Sequence, residues 1–293
     1  MSVSRDRAPV LVGVAQYVGR DTDPAAAPDP VTMLADVAAR AAADSGVGPP
    51  LFAHVDTYLQ IPSAFWTPVN GAGLVAERLG IGDRARVQHT GGGGEVGVLA
   101  ANHLANEILA GRTEAAVMTG GQLWKTCERA RAAEVALDWP TGGHPNGVDA
   151  QFALVAKPIA SEAEERHRLT RPVEAYPLFE NALRAAQGMT LAEHAQRLGE
   201  MMTKFTAVAA ANPYAWFPTE RSAAELITPT PENRMIGFPY TKYLNSVINT
   251  DQAAAWVMTS AAKARELRIP ADRWVDWWGG HNAAEEAWFA STR

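Results

Sequence analysis

Apolar and polar residues alternate between two rhythms over the first 122 positions. Pro9-Val-Leu-Val-Gly-Val-Ala-Gln16 is a continuous apolar run, the pattern of a strand buried on both faces. Asp29 and Pro30 supply an N-cap and a first helical residue, and Val31 to Ala43 runs as a helix to Gly46. Val55-Asp-Thr-Tyr-Leu-Gln-Ile61 alternates as a strand, and Asn70 to Leu79 is a short helix stopped by Gly80. Ala85 to Thr90 is a further strand. After four glycines, Val98, Ala101, Leu104, Ala105, Ile108 and Leu109 form one helical stripe that ends at Gly111. Ala115 to Thr119 is again a strand, closing on Gly120 and Gly121. Strands alternating with helices predict an α/β fold with a mainly parallel sheet, and residues 85–121 predict one right-handed crossover.

The pattern changes from 123 to 242, where prolines and aromatics rise and clear strands are few. Ala150 to Ala156 reads as a short helix or strand. Thr190 to Ala211 has helical spacing (Leu191, Ala195, Leu198, Met202, Phe205, Val208), with Thr190 and Glu193 at capping-box spacing. Asn212 to Pro218 is an aromatic turn, and Thr228-Pro-Thr-Pro231 is another break. Alternation then resumes, with a strand over Ala253–Met258, a helix over Thr259–Leu267 and a strand over Arg273–Trp278. Three segments follow: an α/β half at 1–122, an insertion at 123–242, and the start of a second half at 243–293.

Two readings compete for the glycines. Gly92, Gly94 and Gly97 fit G-x-G-x-x-G after a strand and at a helix start. The dinucleotide fingerprint also needs an acidic residue at the end of the second strand, where Thr119-Gly-Gly-Gln122 stands. The other reading is a resemblance. Thr90-Gly-Gly-Gly-Gly-Glu-Val-Gly97, a helix ending in Leu109-Ala-Gly-Arg112 and Ala115-Ala-Val-Met-Thr-Gly-Gly121 resemble the nucleophile segment of the thiolase superfamily. Asn245 to Met258, with Asp251 ahead of Ala253-Ala-Ala255, resembles the start of that family's second half.

The resemblance implies a layered αβαβα fold with a complete first half, an insertion domain and an incomplete second half. It places Ala253–Met258 and Arg273–Trp278 in a second sheet. There Trp274, Trp277 and Trp278 need a cover from the tail helix Ala283–Ser291, the insertion domain, a partner protein or further chain, and the weak amphipathic face of the tail favours a partner or further chain. It implies a homodimer paired through the strand Arg86–Thr90. It also puts Gly94 where the family carries its cysteine nucleophile. The implied function is an acetyl-CoA acetyltransferase-like protein of lipid metabolism. It binds acyl-CoA or acyl chains, with a coenzyme A thioester as ligand and no other cofactor, and lacks classical thiolase catalysis. The alternatives are a CoA-thioester retro-aldol lyase or acyltransferase acting with a partner subunit, and a non-catalytic interaction subunit. For a lyase base, Tyr214, Tyr240 and Tyr243 are candidates.

Composition narrows the rest. Of the 293 residues 47% are apolar and 20% charged, ordinary for a globular protein. A net charge of −6 disfavours nucleic acid and anionic membranes. One cysteine, no apolar leader and no bilayer-length apolar run predict a cytoplasmic protein without a membrane span.

The candidate binding residues are His89, Gly91, Gly92, Gly93, Gly94 and Glu95. Amides at the start of a helix can hold a carbonyl oxygen or an anion, and His89 closes the strand before them. Lys125 and Arg129 stand where they could lower the Cys127 pKa; an ordinary helical cysteine is the plainer reading. The seven histidines, His54, His89, His103, His144, His167, His194 and His281, show no zinc-ligand spacing. Glu164 to His167 and Glu193-His194 read as solvated helix faces.

Overall fold

The computed structural model describes residues 5–91, 93–142, 150–152 and 160–281. The chain runs through β1 (Pro9–Val18), α1 (Pro30–Asp44), β2 (Thr57–Ile61), α2 (Gly71–Arg78), β3 (Arg86–Thr90), α3 (Val96–Leu109), β4 (Ala115–Leu123), α4 (Trp124–Ala132) and β5 (Ala150–Phe152). It continues through α5 (Glu162–Arg166), α6 (Pro172–Ala186), α7 (Leu191–Ala211), α8 (Ala223–Ile227), β6 (Met235–Gly237) and β7 (Tyr240–Thr241). It closes with β8 (Asp251–Ser260), α9 (Ala261–Glu266) and β9 (Val275–Asp276). There are two compact units, one of Met1–Ala156 with Asn249–Ala283 and one of Lys157–Ile248 with Ala284–Arg293.

The first unit is built on a seven-stranded mixed sheet in the order β5-β3-β2-β4-β8-β1-β9. β5, β3, β2 and β4 run parallel, and β8 runs antiparallel to both β4 and β1. The crossover through α3 is present, but β3 and β4 lie on either side of β2 rather than side by side.

Helices cover both faces. On one face Val10, Val12, Val117, Ala255 and Val257 pack with Val37, Ala38 and Ala41 of α1. Asp29 starts that helix as its sequence predicts, accepting the Val31 and Thr32 amides at 2.8 and 3.1 Å. α1 lies so close to β1 that a Cβ on Gly13 would sit 2.1 Å from the Ala41 carbonyl oxygen, so only glycine fits there. On the other face Leu59, Met118 and Met258 pack with Ala101, Leu104, Ala105 and Ile108 of α3. Gly111 adopts φ +70° just past that helix, the left-handed C-terminal position its sequence predicts.

Several expectations are corrected. Ala253–Met258 and Arg273–Trp278 do not lie in a second sheet. β8 is inserted between β4 and β1, and β9 pairs with the outer edge of β1. The reason is hydrogen bonding: β8 satisfies two strand edges that would otherwise expose their N–H and C=O groups. Its alternation suits both covers, with Ala253, Ala255 and Val257 toward α1 and Trp256 and Met258 toward α3. β8 extends to Ser260, so the helix after it starts at Ala261, and β9 is only Val275–Asp276.

Two of the three tryptophans find partners within the unit. Trp274 donates its indole N–H to the Ile269 carbonyl at 3.1 Å, and Trp277 donates to Asn102 at 3.1 Å. Trp278 stays 95% exposed. β3 is not a free edge either, because β5 pairs with Gln88, His89 and Thr90. That takes away the expected route to a dimer through this strand. The 150–156 segment begins as a strand, and the tail helix Ala283–Ser291 lies outside the described residues.

The second unit is helical apart from the β6–β7 hairpin. α7 carries the predicted capping box, with the Thr190 amide donating to Glu193 at 2.8 Å. The Asn233 amide group donates to the carbonyls of Glu225, Leu226 and Thr228, while its oxygen accepts the Tyr243 amide. One buried side chain thus holds α8 against the segment that follows β7.

Candidate functional site

Ligands of parallel α/β sheets bind beyond the carboxyl ends of the strands. At that end of β2 and β3 lies a cavity of about 230 Å³, lined by Gln60, Ser63, Trp66, Asn70 and His89 among others. Gln60 and His89 are neighbours in the β2–β3 register, so both side chains leave the same face. The loop after β2 is held down as a wall. Trp66 is buried and donates its indole N–H to the Pro140 carbonyl at 2.7 Å, and the Val69 amide donates to Thr141 at 3.2 Å.

Among the polar residues that line this cavity are His89 and Asn70. The His89 Nδ1 lies 3.3 Å from the Thr90 carbonyl oxygen. A carbonyl only accepts, so in this contact Nδ1 is the donor. Asn70 caps α2, its Oδ1 accepting the Gly73 amide at 2.8 Å. Its Nδ2 is buried and has no hydrogen-bond partner among the described residues, and the residue is 6% exposed. An unpaired buried donor costs on the order of 1–3 kcal/mol, so a bound acceptor would be well received there. The sequence shows Asn70 only as a helix start; the unused half of its amide appears only in the folded structure.

The glycine turn lies outside that lining. Gly91 accepts the Thr90 hydroxyl at 2.8 Å, and Gly92 falls outside the described residues. Gly93, Gly94 and Glu95 are exposed. Glu95 is the N-cap of α3 but makes no side-chain capping bond. Its carboxylate folds back instead, so a Cβ on Gly93 would meet it at 2.8 Å, while a Cβ on Gly94 would meet nothing within 4 Å. The structure therefore groups His89 with Gln60 and Asn70 rather than with the glycines.

The remaining candidates separate. Lys125 pairs with Glu128 at 3.0 Å, and Arg129 lies 4.0 Å from Asp251. Burial and then Asp251 push the Cys127 thiol above its usual pKa, with Arg131 opposing, so neither Lys125 nor Arg129 activates it. Glu164 and His194 are 3% and 2% exposed, not solvated. Glu164 turns back to cap its own helix at Ser161, and His194 faces Glu180 across the α6–α7 pair at 2.8 Å. Tyr240 donates its hydroxyl to Glu180, while Tyr243 lies under Arg221, whose guanidinium carbon is 3.8 Å from the ring centre. Tyr214 is 42% exposed, and His144 lies outside the described residues. Among the described residues no cluster of three or more His, Cys, Asp or Glu is placed to hold a metal, and no helix is long and apolar enough to cross a membrane.

No family model matches the chain, and no curated protein sequence does. Solved structures do. A monomeric SCP2-thiolase-like protein type 1 from Mycobacterium smegmatis is 28% identical with a TM-score of 0.69, over 92% of this chain and 49% of that one. An Ltp2–ChsH2(DUF35) aldolase is 19% identical with a TM-score of 0.61, over 89% and 57%. An acetyl-CoA acetyltransferase from Syntrophomonas wolfei is 17% identical with a TM-score of 0.56, over 89% and 66%. The chain thus spans about half the length of the first and 57% of the second. The 28% identity with the first of these over 92% of this chain, together with the shared fold, places this chain in the thiolase superfamily.

Proposed function

We infer that this protein binds an acyl-CoA or acyl chain at the carboxyl ends of β2 and β3 and does not carry out classical thiolase turnover. The observation that carries the binding is the orphaned, buried Asn70 amide beside His89 in the cavity. A thioester carbonyl supplies the acceptor that this donor lacks. The argument against turnover is chemical. In the thiolase resemblance Gly94 occupies the nucleophile position, and a hydrogen atom cannot form an acyl-enzyme.

Calorimetric titration with octanoyl-CoA, acetyl-CoA and free CoA tests the reading. Asn70→Asp keeps the cap acceptor and removes the donor, and losing that hydrogen bond should weaken acyl-CoA binding by roughly tenfold. Absence of binding by all three compounds, or cleavage of acetoacetyl-CoA by the purified chain, overturns it.

A second reading is a CoA-thioester retro-aldol lyase or acyltransferase acting with a partner subunit. It is supported by the aldolase neighbour, described with a second protein, and by the exposed apolar residues Val14 and Val275 on the sheet. Turnover of a hydroxyacyl-CoA only after a partner is added distinguishes it from a binder or an interaction subunit.

A further inference from the structure

The helical unit holds a polar array that the acyl-binding reading leaves unused. His194 lies on the first turn of α7, where the Thr190–Glu193 box fixes the helix start, and His194, Leu198 and Gly199 face inward. The His194 Nε2 comes within 2.8 Å of a Glu180 carboxylate oxygen on α6, yet neither ring nitrogen makes an aligned hydrogen bond. The other Glu180 oxygen accepts the Tyr240 hydroxyl. Burial first, and then Glu180, push the Tyr240 pKa up, so the phenol stays protonated and remains the donor.

Glu180 and Tyr240 line a cavity of about 300 Å³, with Asn245 and Ser246 as further polar lining. Its apolar walls include Val173, Leu198, Met202 and Leu244. A carboxylate only accepts hydrogen bonds, and Glu180 keeps lone pairs beyond those turned to Tyr240 and His194. The apolar walls favour a hydrocarbon body, and the carboxylate excludes an anionic head.

We propose that this cavity binds an apolar molecule with a single hydrogen-bond-donating head, an aliphatic amine or alcohol. The head sits on Glu180 and the hydrocarbon lies among Val173, Leu198, Met202 and Leu244. Both chemistries share the donor that Glu180 requires.

The test is calorimetric titration of the full chain with octylamine, octanol and octanoate. The expected result is binding of the first two, with octanoate at least tenfold weaker. Glu180→Gln should remove the discrimination against octanoate. Because that change alters a buried pair, Met202→Trp serves as the second variant; it fills the cavity from α7 and should abolish binding without lowering the melting temperature. Three outcomes overturn the proposal: no binding by any of the three compounds, octanoate binding as tightly as octanol, or unchanged affinities in both variants. Each is separable from the acyl-CoA titration, which reads the cavity at Asn70 and His89.

Discussion

Val14 on β1 stands directly opposite Trp256 on β8, and the two share the sheet face on which α3 packs. Trp256 is partly buried against the α3 cluster, yet Val14 is 59% exposed, and the next pair, Gln16 and Ala254, is exposed as well. Val275, paired with Leu11 at the sheet edge, is 61% exposed. Exposed apolar side chains of this kind are where a hydrophobic dye binds. Val14→Lys should sharply reduce the fluorescence of a hydrophobic dye bound to the isolated chain while changing stability by no more than about 0.5 kcal/mol. Unchanged dye binding would show that the face is covered.

Gly94 offers a second test. It has open space where a Cβ would stand, so Gly94→Cys should leave the melting temperature essentially unchanged. A thiol beside the start of α3 gains from the helix dipole, whereas burial raises the Cys127 pKa. Mass spectrometry after iodoacetamide treatment should show the introduced thiol alkylated first. Faster reaction at Cys127 would refute this. Thiolase activity should remain absent in the variant.

Acid should unfold the first unit partly through Glu107. Its carboxylate accepts Arg112 Nε at 3.0 Å and both terminal nitrogens of Arg86 at 3.1 Å, tying the end of α3 to the start of β3. Hydrogen bonds from Arg112 and then Arg86, opposed by burial, hold its pKa at about 2, below the usual 4.5. A depressed folded-state pKa stabilises above the unfolded value. The stability is therefore full above about pH 4.5 and lost as pH falls toward about 2. At about 1.4 kcal/mol per pKa unit, and discounted because the Arg112 side chain is 58% exposed, the loss is roughly 1–3 kcal/mol. Glu107→Gln should flatten the urea midpoint over that pH range; an unchanged slope would contradict it.

Tyr58 and Thr119 provide the cleanest stability measurement. Both are fully buried, and their hydroxyls are 2.6 Å apart across β2 and β4. Tyr58→Phe leaves the Thr119 hydroxyl without its partner, at a cost of about 1–2 kcal/mol in urea denaturation. A neutral result would mean that the hydroxyl has found another acceptor.

Local grammar alone fixed much of this protein. Asp29 and Pro30 start α1, Thr190 and Glu193 start α7, and Gly111 ends α3, because capping depends on residues only a few positions apart. The strand–glycine–helix–strand order around 85–121 was legible for the same reason, since period and punctuation are read along the chain. Pairing was not. β8 reads as the opening of a second half, yet it lies between β4 and β1 because two strand edges far away in sequence needed its hydrogen bonds. Burial of polar residues was equally hidden. His194 follows Glu193 on a capped helix, and only the approach of α6 places Glu180 against it. Asn70 spends its oxygen on its own helix, a local fact, but the burial of its nitrogen without a partner among the described residues is a tertiary one. The sequence by itself determined the strands and helices of the first 122 residues, α7 and β8, but not α4, α6 or the β6–β7 hairpin. Tertiary structure decided which edges are satisfied and which buried polar atoms remain open to a ligand, because both depend on groups brought together across long stretches of chain.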